Sequence, residues 1–294
     1  MKASVSVIAA LACLSALPAH AADAPDARAF PLGKLHLVAV HDTRFVLPND
    51  GKVFGDGNGT QAVTQVLKTA GAPTDKITLS VDGLVVRTKG HIVLIDTGTG
   101  AKNGGVLLQS LTKAGIKASD VTDILITHAH GDHIGGLLGA DGALAFPKAT
   151  IRMSAIEWTS LQDQTDMADL VKTITPKVVT FVPGNSVVPG IMAVEIKGHT
   201  PGHVGYEIRS GKARLLDIGD AAHSSVVSLV KPDWTMSFDS DAAAAKASRR
   251  GLLTQLAKSG EPIFSPHFPF PGVGRIVSAG DHFTFKPTLK PGKE

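Results

Sequence analysis

The sequence predicts a single α/β domain, and three observations predict it. Short apolar runs with strand character interleave with stretches of helical spacing along the whole chain. Apolar residues make up 43% of the 294, enough for a sizeable core. No linker, short-period repeat or low-complexity segment interrupts the alternation.

Taken in order, residues 22–33 ("ADAPDARAFPLG") read as a loose leader, and the domain is expected over 34–294. "KLHLVAVHD" reads as a strand, and "LPNDGKVFGDGNG" as a long loop of turn-forming residues. "TQAVTQVLKTAG" has helical spacing and a glycine stop. "KITLSVDGLVVRTKGHIVLIDTG" reads as two or three strands, punctuated at Asp82-Gly83 and Lys89-Gly90. "GGVLLQSLTKAGI" is an amphipathic helix, "VTDILITH" a buried strand and "ATIRMSA" another, with helical or irregular chain to about residue 175. "KVVTFV", "IMAVEIKG", "HVGYEIRS" and "ARLLDIGD" give four more strands. "DAAAAKASRRGLLTQLAKSG" is a helix that starts near Asp241 and stops at Gly260. "PIFSPH" and "RIVSAGDHFTF" close the chain as strands.

The first 21 residues have the layout of a cleavable export signal: Lys2, the apolar "VSVIAALACLSAL", and the small-x-small site Ala19-His20-Ala21. The apolar run is too short for a stable membrane anchor. The expectation is a periplasmic or secreted protein of a bacterium, with no membrane attachment once the signal is removed. Cys13 is the single cysteine and lies within that signal. The mature chain then has no disulfide, no thiolate ligand and no cysteine nucleophile. The formal charge is +3, and Arg249-Arg250 is the one adjacent basic pair, so the basic stripe that nucleic acid requires is missing. A small-molecule substrate is the expected partner, and a homodimer is compatible with the sequence.

"ILITHAHGDHIGG" concentrates His128, His130, Asp132 and His133, out of twelve histidines in the chain, behind an apolar run. Residues two apart on a strand face the same way, so His128 and His130 can aim at one point. Gly131 permits the turn that brings Asp132 and His133 round beside them. Imidazole and carboxylate together suit zinc and its first-row neighbours. Three further ligand-capable residues stand at the ends of apolar strands: His199 in "GHTPGH", Asp220 in "LLDIGD" and His267 in "IFSPH".

This ordered set of motifs, with Asp96-Thr97-Gly98 ahead of it, resembles the metallo-β-lactamase fold over nearly all of the mature chain. The resemblance implies an αββα four-layer sandwich with a dinuclear metal site at the sheet edge. By position, His128, His130 and His199 would hold one ion, and Asp132, His133 and His267 the other. Asp220 would bridge them, and Asp96 would orient the loop that carries the cluster. His203, in the tight "TPGH" turn, takes a structural role. His36, His41, His91 and His282 have no motif around them.

The implied cofactors are two divalent ions, zinc foremost, with manganese, cobalt or iron as alternatives. Such a pair can share a water whose pKa falls to about 7, giving a hydroxide nucleophile without serine or cysteine. Asp132 and Asp220 are the candidate catalytic carboxylates, Asp132 as proton acceptor or relay. Asp220 stands where true β-lactamases of the fold carry cysteine or serine. The surrounding "LDIGD" and "SPHFPFPGVGRI" resemble the exported methyl parathion hydrolase group and its lactonase relatives. The implied substrates are lactones and aryl esters, ahead of phosphotriesters, because "TGTGAKNGG" lacks an aromatic that the methyl parathion hydrolases carry there. Trp158, Phe268 and Phe270 are candidate walls of an apolar pocket, with core packing as the alternative. His223 stands where lactonases often have a tyrosine, and is either a proton or hydrogen-bond donor to substrate or a surface residue; Tyr206 is the chain's one tyrosine. The competing readings are a β-lactamase, a single-iron persulfide dioxygenase and a non-catalytic metal-binding protein.

Overall fold

The computed structural model describes residues 23–55 and 57–290. The proposed export signal lies outside the described residues.

Two seven-stranded mixed sheets stack face to face. The first comprises β1 (Ala27–Leu32), β2 (Leu35–Pro48), β3 (Lys76–Thr88), β4 (His91–Ile95), β5 (Asp123–Leu125), β6 (Thr150–Ser154) and β7 (Val178–Phe181), in that spatial order. It is antiparallel from β1 to β4 and parallel from β4 to β7. The second comprises β8 (Ser186–Val188), β9 (Ile191–Glu195), β10 (Val204–Ser210), β11 (Ala213–Asp217), β12 (Pro262–Phe264), β13 (Val273–Ala279) and β14 (His282–Pro287), again in sequential order. Only its β11–β12 pairing is parallel.

The central strands are apolar on both faces, as sheets covered on both sides must be. In β2, Leu37 and Ala39 enter the core between the sheets, while Val38 and Val40 enter the core on the outer face. β3 repeats the alternation with Leu84 and Val86 against Val85, and β4 with Val93 and Ile95 against Leu94. The helices α2 (Leu107–Lys113), α4 (Ala155–Gln162) and α5 (Ala168–Ile174) cover the outer face of the first sheet. α7 (Ala242–Ser259) covers that of the second through Leu253 and Leu256. A fourth core joins α1 (Gly59–Thr69), the far ends of β2 and β3, and α6 (Val227–Val230). The layers are thus helix, sheet, sheet, helix.

Two expectations are corrected. Residues 22–33 are not a loose leader from Ala27 onward: β1 pairs with β2 from Ala27↔Val40 to Leu32↔Leu35, burying Phe30 and Leu32. β3 runs unbroken through Asp82-Gly83, where only the partner strand is bulged, between His41 and Thr43. Gly83 lies against Ile95 and Leu107 and has no turn to make. The short β8 had no counterpart in the sequence reading.

Two bonds stitch the sheets together at the end of β5. Val204 N–H donates to the Thr127 carbonyl at 3.0 Å, and the buried Tyr206 hydroxyl donates to the Ile126 carbonyl at 2.7 Å. Tyr206→Phe strands that carbonyl and is expected to cost about 1–3 kcal/mol in denaturant unfolding. Turnover should change little; a collapse in activity without loss of stability would contradict a structural role.

Candidate metal centre

Strand ends deliver every ligand-capable group to the same edge of the sandwich. His128 and His130 follow β5, and α3 (Gly131–Ile134) turns Asp132 and His133 back towards them. His199 follows β9, Asp220 follows β11 and His267 follows β12. The turn between α3 and the next segment fits tightly against the chain after β4. A Cβ on Gly136 would lie 2.1 Å from the Thr97 carbonyl oxygen, which explains the glycine at that step.

The structure brings all seven together in two groups. His128 Nε2, His130 Nδ1 and His199 Nε2 lie 3.0–3.1 Å apart, with Asp220 Oδ2 at 3.3 Å from His199 and 3.6 Å from His128. In the second group, Asp132 Oδ2 is 3.6 Å from His133 Nε2 and 3.5 Å from His267 Nε2. Asp220 Oδ1 faces that group at 3.4 and 3.1 Å from the same nitrogens. Asp220 thus lies between the two groups, Oδ2 towards the three histidines and Oδ1 towards His133, with His267 Nε2 within 3.2 Å of both oxygens. His130 and Asp132 are the partly exposed members and mark the solvent side.

Asp96 holds the cluster from behind. It sits at φ +58°, a conformation uncommon for a side-chain-bearing residue. Its carboxylate accepts from Thr127 N at 2.9 Å and Thr127 Oγ1 at 2.7 Å, and lies 2.8 Å from His133 Nδ1. His267 Nδ1 donates to the Ser80 carbonyl at 2.7 Å, while Ser80 N–H donates to the His267 carbonyl at 3.2 Å. His203 is buried and neutral, pushed down to about 3 by burial and by His199. Its Nδ1 donates to the Ile196 carbonyl, and its Nε2 accepts from Asp220 N–H at 3.0 Å, fixing the backbone of that carboxylate.

The pocket candidates fare differently. Trp158 is half-buried against the outer core of the first sheet, in the cluster that includes Ala129. Phe270 is half-buried, with its ring 5.4 Å from that of His41. Phe268 is not a pocket wall: it is fully buried beneath α7, its ring 4.9 Å from Phe285. His223 is not a surface residue but is 2% exposed, with Nε2 3.0 Å from Asp220 Oδ2 and its ring stacked on His267 at 5.3 Å. The chain reaches this position because Ser228 Oγ accepts the N–H groups of His223 and Ser224.

Four residues that the sequence reading passed over belong to the site. Glu157 accepts from Ala129 N, Thr200 Oγ1 and Gly202 N. Asp239 lies 3.1 Å from His199 Nδ1 and accepts from the buried Arg249 at 2.9 Å. Phe238 is 41% exposed, and its ring lies 5.8 Å from that of His223.

The charge pattern fits a cation. Burial, and then the neighbouring imidazoles, push His128 well down and His130 to about 3, leaving neutral rings with lone pairs to offer. Burial would likewise lower His199, but Asp220 and Asp239 outweigh it and hold it up at about 9; carboxylates also hold His133 and His267 up. Burial alone would raise Asp220, but His267, His133, His223 and His128 keep it ionised. The buried carboxylates therefore demand positive charge at this spot, which a bound metal would supply in place of imidazole protons. His133 Nε2 and Asp220 Oδ1 are buried without a properly aligned hydrogen bond among the described residues, as atoms that would hold a cation are.

Sequence comparison places the chain in a class with this site. Residues 78–267 match the metallo-β-lactamase superfamily, and the chain belongs to that family. A probable metallo-hydrolase of Mycobacterium tuberculosis is 29% identical over 171 residues, covering 47% of this chain and 55% of its own. An uncharacterised Bacillus subtilis protein, YobT, is 28% identical over 152 residues, 48% of this chain and 61% of its own. The chain thus spans under two thirds of the length of these curated relatives. Among solved structures, AidC, a dizinc quorum-quenching lactonase in complex with a product, superposes with a TM-score of 0.85 at 30% identity, covering 91% of this chain and 99% of AidC. The hydrolase AbOPH superposes with a TM-score of 0.83 at 27% identity, over 92% of this chain and 100% of AbOPH.

Proposed function

We propose that the chain is an exported metal-dependent hydrolase of small, apolar, uncharged ester-like substrates, with lactones and aryl esters ahead of phosphotriesters. The observation that carries this reading is Asp220, a buried carboxylate faced by the imidazoles of His128, His133, His199, His223 and His267 at 3.0–3.6 Å. A carboxylate at that position parts the chain from the cysteine- or serine-bearing β-lactamases. The likeness to AidC across almost the full length of both chains supports the lactone end of the substrate range.

When bound, two divalent cations would supply a nucleophile at neutral pH and polarise the scissile carbonyl. The chain's own residues do the rest. Asp132, ionised and partly open to solvent, can accept the proton released during attack. His223, kept below its ordinary value by burial, is neutral at pH 7 and placed to hydrogen-bond a substrate oxygen beside Asp220. Phe238 offers the exposed apolar surface at its flank.

A panel of lactones, chromogenic aryl esters and phosphotriesters, with a β-lactam as control, tests this directly. Turnover of lactone or aryl ester should vanish with a chelator and return with zinc, at two ions per chain. Chelator-resistant turnover, or one iron per chain with oxygen consumption, would overturn it.

A further inference from the structure

We propose that Glu157 is a positioning residue that sets the metal affinity of one half of the centre, the His128–His130–His199 subsite, separately from the other half. The inference rests on the metal-centre reading above. Glu157 stands in the first turn of α4 and is 2% exposed, a place where the oxygens of a carboxyl group must find hydrogen-bond donors. They do. Oε1 accepts from Ala129 N at 2.7 Å, and Oε2 accepts from Thr200 Oγ1 and Gly202 N, both at 2.8 Å. Ala129 is the residue between two of the ligands, and Thr200 directly follows the third. One carboxylate therefore clamps together the two loops that carry all three imidazoles of this subsite.

The clamp is itself fixed. Ser154 Oγ accepts from Glu157 N–H at 3.1 Å and donates to the Gly202 carbonyl at 2.7 Å. A Cβ on Gly202 would lie 2.3 Å from Glu157 N, so the turn after His199 is pressed against the start of α4. The other subsite has separate supports: Asp96 for His133 and the Ser80 backbone for His267. Among the described residues, Glu157 makes no hydrogen bond to Asp132, His133 or His267.

Glu157→Gln tests the clamp while preserving shape. Whichever way the amide lies, its NH2 group faces a backbone N–H, of Ala129 or of Gly202, and one bond becomes a donor–donor clash. Loss of an outer partner typically lowers metal affinity by roughly 10–100-fold. The full chain, stripped and reloaded with zinc, should show one ion of wild-type affinity and one weakened by that factor in competition with a chromophoric chelator. Anomalous scattering from crystals of the partly loaded variant should place the loss at the three-histidine subsite. Thr200→Val removes a single bond and leaves the carboxylate, so it should weaken the same ion less, with a melting temperature near wild type. Wild-type affinity at both positions in both variants, or parallel loss of both ions, would overturn the proposal. A wild-type chain that takes up no zinc would instead overturn the metal-centre reading beneath it.

Discussion

Replacing Asp220 with alanine is expected to lower ester or lactone turnover by more than about 100-fold, beyond the range usual for a residue that merely orients a ligand. The carboxylate presents Oδ2 to the three-histidine group and Oδ1 to the Asp132–His133–His267 group, so its removal damages both. It also removes the one negative charge common to five buried imidazoles, leaving His133 with Asp96 and His199 with Asp239 on their far sides and no carboxylate between the two groups to offset the rings. Measurement of kcat/KM beside metal content separates these effects. A variant that still holds two ions and still turns over would refute the bridging role.

Arg249→Met should produce the largest loss of stability, about 3–5 kcal/mol, as expected when one partner of a buried ion pair is removed. Arg249 is 1% exposed, and its side chain makes four bonds, to the carbonyls of Ala221, Pro232 and Trp234 and to Asp239. Methionine fills much of the volume but leaves Asp239 Oδ2 buried without its guanidinium, with His199 as the remaining partner of the carboxylate, and strips three carbonyls of a donor. Because Asp239 also orients His199, zinc affinity should fall along with the unfolding midpoint in urea. A midpoint unchanged from wild type would show that Asp239 is satisfied without the guanidinium.

The parts of this molecule that were legible in the sequence are those written locally. The strand alternation of β2, β3 and β4 and the helical spacing of α7 each lie within one short window. The candidate ligands could be picked out because His128 to His133 are crowded into one turn and the others end apolar runs. The supports were not, because each joins positions far apart in the chain. Glu157 reaches Ala129 and Gly202, and Arg249 reaches Ala221 and Trp234. Read alone, Ser154-x-x-Glu157 looks like a reciprocal helix cap. Ser154 does cap α4, but the glutamate turns away to the metal-binding loops. Phe268 misled for a related reason. It directly follows His267, but the neighbouring side chain points the opposite way, into the core under α7. β1 was missed because "ARAFPL" contains arginine and proline, which edge strands tolerate.

The stitched seam between the sheets makes the centre a late-maturing assembly. Four of its groups sit on first-sheet loops and three on loops of the second, the last of them beyond β12. A nascent or clipped chain that ends before that strand can gather imidazoles but cannot complete the set. Cations held by both sets of groups would tie the two sheets together, so the melting temperature should climb with free zinc as binding to the folded state draws molecules out of the unfolded ensemble.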